Sequence, residues 1–251
     1  MLTEKRQQTI AAYIKDKDIC RVAELCKLTN SSESTIRRDL IDLEERGMIV
    51  RIHGGARSLQ NYSRDVEQQV RFNLNIDKKR QIAAYAVKKV NPDEHIFLDA
   101  GTTVYEMIPF LKEIPNLHII TNGVDTALAC IEAGISTQIL GGEIKQQTNA
   151  IIGVTTIKQM QKMNFSTAFI GANGLNRQGK FTTPDPNEAD VKQTGIIQAK
   201  KSFILMDDSK IGNSNFASLA NTENAVLITN QLTNEEKLQL PEKLHFEEAI
   251  A

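Results

Sequence analysis

The sequence predicts a two-domain α/β protein, with a small, mostly helical N-terminal domain closed by a β-hairpin and a larger domain built on a mostly parallel sheet. Three observations point there. Residues 1–57 hold three short helical patterns and then a β-branched run. From Asp77 onward, helical patterns alternate with short apolar runs. At 251 residues the chain has room for one small domain and one of ordinary size with a substantial core.

Thr3 to Lys15 reads as a first amphipathic helix with Ile10 and Ile14 inward, and Val22 to Leu28 as a short second one, followed by Thr29-Asn30-Ser31 as a polar turn. Ser32 can accept a hydrogen bond from a first-turn N–H, so a third helix starts there. Ile36, Leu40 and Leu43 recur at the spacings of one apolar stripe, which must pack on something. Ser34, Arg37 and Arg38 point away from it. Hydroxyls and guanidinium groups near a helix N-terminus suit phosphates and base edges. Asp42, Glu44 and Glu45 gather at the far end, where a phosphate backbone would repel them. This helix alone also fits a surface helix with solvated charges, but two short helices, a tight turn and a third helix make a helix-turn-helix.

Gly47 reads as the helix stop. Met48 to His53 then carries the β-branched bias of a strand, which Gly54-Gly55 turn back on itself. That hairpin is a wing whose Arg51, His53 and Arg57 could lie against a sugar-phosphate backbone. Residues 1–57 carry 11 basic and 9 acidic side chains and the remainder 19 and 22, an asymmetry too small to drive DNA binding by bulk charge. Contacts must come from arrangement, and specific binding calls for a dimer.

Residues 58–76 show little apolar periodicity and read as a linker, leaving 77–251 as the second domain. Its pattern is a Lys78 to Val90 helix, then short runs at Ile96–Leu98, Leu117–Ile120, Gln138–Leu140, Ala168–Ile170, Phe203–Met206 and Ala225–Ile228. Such alternation implies a parallel sheet buried on both faces. After these runs stand Asp99-Ala100-Gly101-Thr102-Thr103, Thr121-Asn122-Gly123, Gly141-Gly142, Gly171-Ala172-Asn173-Gly174, Asp207-Asp208-Ser209-Lys210 and Thr229-Asn230. Small and polar residues thus gather at the carboxyl ends of the strands, where open α/β sheets bind ligands. Thr102-Thr103 would open a helix running to Leu111, with hydroxyls and free N–H groups able to cradle a phosphate, and Lys210 would add a point charge. Any single turn uses such residues for geometry alone; the set together fits a ligand with a phosphate and several hydroxyls.

Other signals are discounted. Gly174 to Lys180 has the Gly-x-x-x-x-Gly-Lys spacing of a nucleotide-binding loop, but Phe181 stands where a Ser or Thr should hold Mg²⁺, and Thr182-Thr183-Pro184-Asp185-Pro186 cannot open a helix at once. A surface turn is the better reading. Cys20, Cys26 and Cys130 form no Cys-x-x-Cys pair and four scattered histidines form no zinc pattern, so no metal and no cofactor are expected. Neither a secretory signal nor an apolar run of membrane-spanning length is visible, which predicts a cytoplasmic protein without a membrane partner.

The N-terminal block, with Arg6, Ile10, Val22-Ala23-Glu24-Leu25, Thr35-Ile36-Arg37-Arg38-Asp39-Leu40, Leu43-Glu44 and His53-Gly54-Gly55-Ala56, resembles the winged helix-turn-helix of the DeoR family of bacterial sugar-metabolism regulators. The resemblance extends through the strand-end segments, Thr182-Thr183-Pro184-Asp185, Glu188-Ala189, Lys192 and Asp208-Ser209-Lys210, which look like that family's sensor domain. It implies a sensor similar in fold to ribose-5-phosphate isomerase and glucosamine-6-phosphate deaminase, a phosphorylated sugar as effector, double-stranded operator DNA as partner, and a homodimer or homotetramer. The Thr-Thr-Pro-Asp variant looks most like repressors of fructose operons in Gram-positive bacteria, with fructose 1-phosphate as effector; a lactose/tagatose-type repressor is the near neighbour.

The DNA contacts so expected are Arg6, Ser32, Ser34, Thr35, Arg37, Arg38, Arg51 and His53. The effector contacts are Asp99, Gly101, Thr102, Thr103, Thr121, Asn122, Gly141, Gly142, Gly171, Asn173, Gly174, Glu188 and Lys210. An isomerase is the rival from another class. It needs a carboxylate base beside the substrate, and where the isomerases place Gly-Ala-Asp this chain has Gly171-Ala172-Asn173, an amide that accepts no proton at neutral pH. Glu188 and Asp208 remain as possible bases, Glu188 more naturally orienting a sugar hydroxyl. No catalytic residue is assigned, and the reading is a repressor rather than an enzyme.

Overall fold

The computed structural model describes residues 3–17, 19–45, 48–52, 54–58 and 68–250. The chain divides into two compact units, Met1–Val66 with Asn73–Asn75, and Glu67–Phe72 with Ile76–Ala251.

In the first unit, helix α1 (Thr3–Lys17) is followed by strand β1 (Ile19–Arg21), helices α2 (Val22–Thr29) and α3 (Glu33–Glu45), and strands β2 (Ile49–Ile52) and β3 (Gly55–Ser58). The α2–α3 turn rests on Asn30 in the left-handed conformation, which Asn tolerates better than most residues. Ser32 caps α3 by accepting the Thr35 N–H at 3.3 Å. Ile36, Leu40 and Leu43 are buried with Ile10, Ile14 and Leu25 in one core. A buried carboxylate fastens α1 to α3: Arg6 Nε reaches Asp39 Oδ2 at 2.5 Å, and Gln7 Nε2 donates to Asp39 Oδ1 at 3.2 Å and to Asp42 Oδ2 at 2.9 Å.

The expected wing is the β2–β3 hairpin, turned through Gly54 at φ +80°. Beyond the sequence reading, β1 pairs antiparallel with β3, giving a sheet of order β1-β3-β2. A Cβ on Gly55 would sit 2.1 Å from the Cys20 carbonyl oxygen, so the pairing of β1 requires glycine there. Gly47 and His53 lie outside the described residues, as do residues 59–67 of the expected linker. Within the rest of that stretch, Ser58 closes β3 and helix α4 spans Gln68–Asn73.

The second unit continues with α5 (Ile76–Val87), β4 (His95–Leu98), α6 (Thr102–Tyr105), α7 (Ile108–Leu111), β5 (His118–Thr121), α8 (Val124–Glu132) and β6 (Ser136–Ile139). Then come β7 (Glu143–Lys145), β8 (Ala150–Ile152), α9 (Val154–Met160), β9 (Phe165–Gly171), β10 (Gly174–Leu175), β11 (Phe181–Thr183) and α10 (Pro186–Ile197). Last are β12 (Ala199–Leu205), β13 (Ala217–Ser218), β14 (Val226–Asn230), α11 (Asn234–Lys237) and β15 (Phe246–Ala249). Seven strands form one sheet in the order β15-β14-β12-β9-β4-β5-β6, every pair parallel.

All six expected runs are strands of this sheet. Alternation sorts its side chains: Phe97, Ala168, Ile170, Ile204 and Leu227 pack on one face with Val191 and Ile196 of α10, while Ile96, Leu98, Phe169, Phe203 and Ile228 pack on the other with Ile82, Ala83 and Ala86 of α5. The helix expected from Thr102 to Leu111 is instead α6 and α7, because Pro109 lacks the N–H that a continuous helix would give to Tyr105. The Gly174 to Lys180 segment is an antiparallel hairpin between β10 and β11, with Gly179 at φ +79°. It opens no helix, in keeping with the reading that it is no nucleotide loop.

Gly55→Ala should destabilise the N-terminal unit by about 1–3 kcal/mol through the clash with β1. Hydrogen exchange should show faster opening of α1 to β3 with the sheet amides of the second unit unchanged; unchanged exchange in α1 to β3 would contradict the account.

Candidate functional site

The chain runs β4, β5, β6 outward on one side, then returns to place β9 against the other side of β4 and continues to β12, β14 and β15. The order therefore reverses between β4 and β9, and open α/β sheets bind ligands outside the carboxyl ends of the strands at such a reversal. Asp99 ends β4 there and is 1% exposed. Its Oδ2 accepts the Gly171 N–H at 2.9 Å, across the gap from the end of β9, and receives Lys192 Nζ of α10 at 2.5 Å. Gly101 and Gly171 approach so closely that a Cβ on either would be 3.3 Å from the other's Cα. Glycine at these two positions lets the two loops approach this closely.

The flanking loops are fixed by side chains that the sequence reading had assigned to the effector. Thr121 Oγ1 donates to the Leu98 carbonyl at 2.6 Å and accepts the Gly123 N–H at 3.0 Å. Asn122 accepts the Ala100 N–H at 3.2 Å and donates to the Ile151 carbonyl at 3.1 Å, shaping the 99–103 loop and joining it to β8. Gly141 gives its N–H to Gln159 at 2.9 Å, and a Cβ on Gly142 would sit 2.2 Å from Thr156 Oγ1. Gly174 lies in β10 with Asn213 O 2.5 Å from where a Cβ would be, so its smallness serves the minor sheet of β10, β11 and β13. These five residues have a local structural use. Thr102 and Thr103 open α6, which has no side-chain cap. Behind it, Phe72 of α4 packs edge-on against Tyr105 with ring centroids 4.7 Å apart.

One turn before Lys192 on α10, Glu188 is buried. Its carboxylate accepts Thr148 Oγ1 at 2.8 Å and Thr183 Oγ1 at 3.3 Å, and Lys145 Nζ lies 3.5 Å away while also reaching Asp185 Oδ2 at 3.1 Å. Burial opposes the charge on Asp185, but the Asn187 N–H and Lys145 outweigh it and hold that carboxyl below its usual range. Asn173 Oδ1 accepts Thr183 Oγ1 at 3.1 Å. Lys145, Thr148 and Thr183 were absent from the expected set, and only the fold brings the β7–β8 hairpin to α10.

At the end of β12, Lys210 Nζ stands 3.6 Å from buried Asp207, and Lys78 reaches both oxygens of Asp208 at 2.8 Å. Burial opposes the charge on Asp207; Lys210, Ser209 and Lys79 together overcome it and hold the carboxyl low. Lys79 is itself buried, donates to the Arg71 carbonyl, and is pushed down to about 7 by burial first and by Lys210 second.

In the helix-turn-helix, Ser32, Ser34, Arg37 and Arg38 are exposed and Thr35 is half-buried. Arg37 pairs with Glu33 at 2.6 Å and Arg51 with Glu44 at 2.6 Å, both at the surface, where such pairs are worth about 0–1 kcal/mol. Arg6 differs: it is committed to Asp39 inside the unit and so orients α3 rather than facing outward. Among the described residues no group of three His, Cys, Asp or Glu is placed to hold a metal, and no helix is long and apolar enough to cross a membrane.

Two family models cover the chain: a DeoR-like helix-turn-helix domain matches residues 6–61 and a DeoR C-terminal sensor domain matches residues 74–231. An uncharacterised HTH-type transcriptional regulator of Bacillus subtilis, FruR, is 42% identical over 229 residues, 91% of each chain. A lactose phosphotransferase system repressor of Staphylococcus epidermidis is 32% identical over 241 residues, covering 93% of this chain and 95% of that protein. Among solved structures, ribose 5-phosphate isomerase A of Methanocaldococcus jannaschii aligns with a TM-score of 0.41 and 19% identity over 55% of each chain, a likeness too slight to bear on function.

Lys192→Met should cost about 3–5 kcal/mol, because it leaves the Asp99 carboxylate buried without its cation. Urea unfolding of the second unit reads this, and a loss under about 1 kcal/mol would contradict it. Lys79 gives a pH signature. Its folded value of about 7 lies below the ordinary 10.5, so between the two the unfolded chain binds a proton that the folded one does not, and stability rises with pH. Below about pH 7 both states carry the proton and the penalty is complete. Lys79→Met should therefore gain most on the wild type near pH 6 and lose that advantage toward about pH 10 in paired thermal melts; a difference independent of pH would contradict the assignment.

Proposed function

This chain belongs to the DeoR family of helix-turn-helix transcriptional regulators, and on that premise we propose that it represses a sugar-utilisation operon, a fructose operon in the first instance, and leaves DNA when a phosphorylated sugar such as fructose 1-phosphate binds its sensor. The observation that carries the reading is the polar strand-end cluster at the β4/β9 reversal, where Asp99 meets the Gly171 N–H and Lys192, in a chain whose other unit presents Ser34, Arg37 and Arg38 on an exposed helix face. The 42% identity to a regulator named FruR supports fructose; the repressor of a lactose phosphotransferase system at 32% keeps a lactose/tagatose pathway as the second reading.

On this account α3 enters the major groove. Arg37 and Arg38 read base edges, the hydroxyls of Ser32, Ser34 and Thr35 hold phosphates, and the wing brings Arg51 to the backbone, with His53 beside it in sequence. The protein acts in the cytoplasm as a homodimer or homotetramer that presents two reading heads to a symmetric operator. In the sensor, Thr102, Thr103 and Lys210 take the phosphate, while Asn173 and Glu188 take hydroxyls. The crevice binds rather than catalyses. Asp99 is committed to Lys192, and Asn173 stands where a proton-accepting carboxylate would be needed. Ligand binding favours an arrangement that fits DNA poorly, with about 1–3 kcal/mol of coupling between the two sites.

Fluorescence anisotropy on a labelled fragment from upstream of the protein's own transcription unit tests the reading at fixed salt. Fructose 1-phosphate should release the fragment and free fructose should not. Arg38→Ala should weaken DNA binding about tenfold or more with effector affinity nearly unchanged, an effect of about 1–3 kcal/mol. Lys210→Ala should bind DNA normally and resist release; full release of that variant would remove Lys210 from the phosphate site.

A further inference from the structure

Resting on the effector site proposed above, we propose that the crevice is electrically polarised, cationic on its β12 side and anionic on its α10 side, so that it accepts a sugar with one phosphate and rejects a sugar phosphorylated at both ends. On the β12 side Lys78 and Lys210 face the carboxylates of Asp208 and Asp207, and the buried Lys79, pushed down to about 7, adds a partial positive charge beside them. Lys78 holds both oxygens of Asp208, while Lys210 and the buried Lys79 share Asp207. The Lys210 ammonium at 3.6 Å from Asp207 is a loose pair, available to an incoming anion.

The α10 side has the opposite balance. Among the described residues Lys145 faces the two carboxylates of Asp185 and Glu188, at 3.1 and 3.5 Å. The hydroxyls of Thr148 and Thr183 are directed at the two oxygens of Glu188. Carboxylates accept hydrogen bonds from sugar hydroxyls and repel phosphate. Between the two ends the Lys192 and Asp99 charges cancel.

The spacing matches the dimensions of one small ligand. Asp207 follows β12 and Asp99 follows β4, two strands apart in the sheet, which is about 10 Å. Glu188 lies one helical turn from Lys192 on α10. A phosphate seated at Lys210 therefore directs its sugar past Gly101 and Gly171 toward Glu188, and a second phosphate at the far end would meet the carboxylates there.

The test is calorimetric titration of the full-length protein at fixed salt with fructose 1-phosphate, fructose 6-phosphate and fructose 1,6-bisphosphate. One of the monophosphates should bind at least about tenfold more tightly than the bisphosphate, the equivalent of about 1.4 kcal/mol. Glu188→Gln should shrink that ratio to within about threefold. Asp185→Asn provides the same charge change and keeps the cap that Asp185 gives to the Asn187 N–H, so it secures the result if the buried variant fails to fold. A bisphosphate that binds as tightly as either monophosphate, or a ratio unmoved by both substitutions, would overturn the polarity while leaving the sugar-phosphate sensor intact. Binding of none of the three would overturn the fructose-phosphate reading on which this inference rests, and the inference with it.

Discussion

The sensor unit depends on one buried carboxylate. Asp99 follows β4 at the point where the strand order reverses, and its Oδ2 meets both Lys192 and the Gly171 N–H. An uncompensated buried charge costs several kcal/mol, so the pair fixes three things together: the end of β4, the end of β9 and the register of α10 against both. Once α10 is so placed, Glu188 falls one turn along the same face, where Thr148, Thr183 and Lys145 meet it. The ion pair is therefore the joint from which the rest of the crevice is measured.

The DNA-binding unit uses the same device at a smaller scale. Asp39 is buried on the inner face of α3 and accepts from Arg6 and Gln7 of α1, while the adjacent Arg37 and Arg38 face outward. Neighbouring residues of one helix thus divide into those that orient it and those proposed to meet DNA. In both units the groups that hold the geometry are buried and mutually satisfied, while Arg37, Arg38 and Lys210, proposed to meet a ligand, are exposed or only partly covered. Such a division lets a site exchange partners without paying for reorganisation of its frame.

The elements with strong local signals were legible in the sequence. Ser32 as cap, the Ile36, Leu40 and Leu43 stripe, and the six apolar runs of the sheet each follow from short-range chemistry, and each is where the pattern put it. Strand β1 was missed because three residues carry no periodicity, and β15 because Phe246-Glu247-Glu248-Ala249 reads as an acidic surface stretch. The break between α6 and α7 was readable from Pro109, whose missing N–H outweighs the apolar pattern around it. The site was legible as an edge rather than as a set of contacts. Thr121, Asn122, Gly141, Gly142 and Gly174 stand at strand ends as expected, but their bonds and close approaches serve the loops. The Asp99 to Lys192 pair joins residues 93 positions apart, and Lys79 sits in a basic run that looks solvated until α5 is packed against the sheet.

The central claim is that one chain couples a sugar-phosphate site to a DNA site through a shared conformational equilibrium. Coupling of this kind is reciprocal: if the effector weakens operator affinity by some factor, the operator must weaken effector affinity by the same factor. The most direct measurement is therefore a pair of titrations of the full-length protein, operator affinity at saturating fructose 1-phosphate and fructose 1-phosphate affinity at saturating operator. Equal factors in the two directions, of about 5–150-fold, are what the account predicts. An effector affinity that ignores bound operator would contradict it.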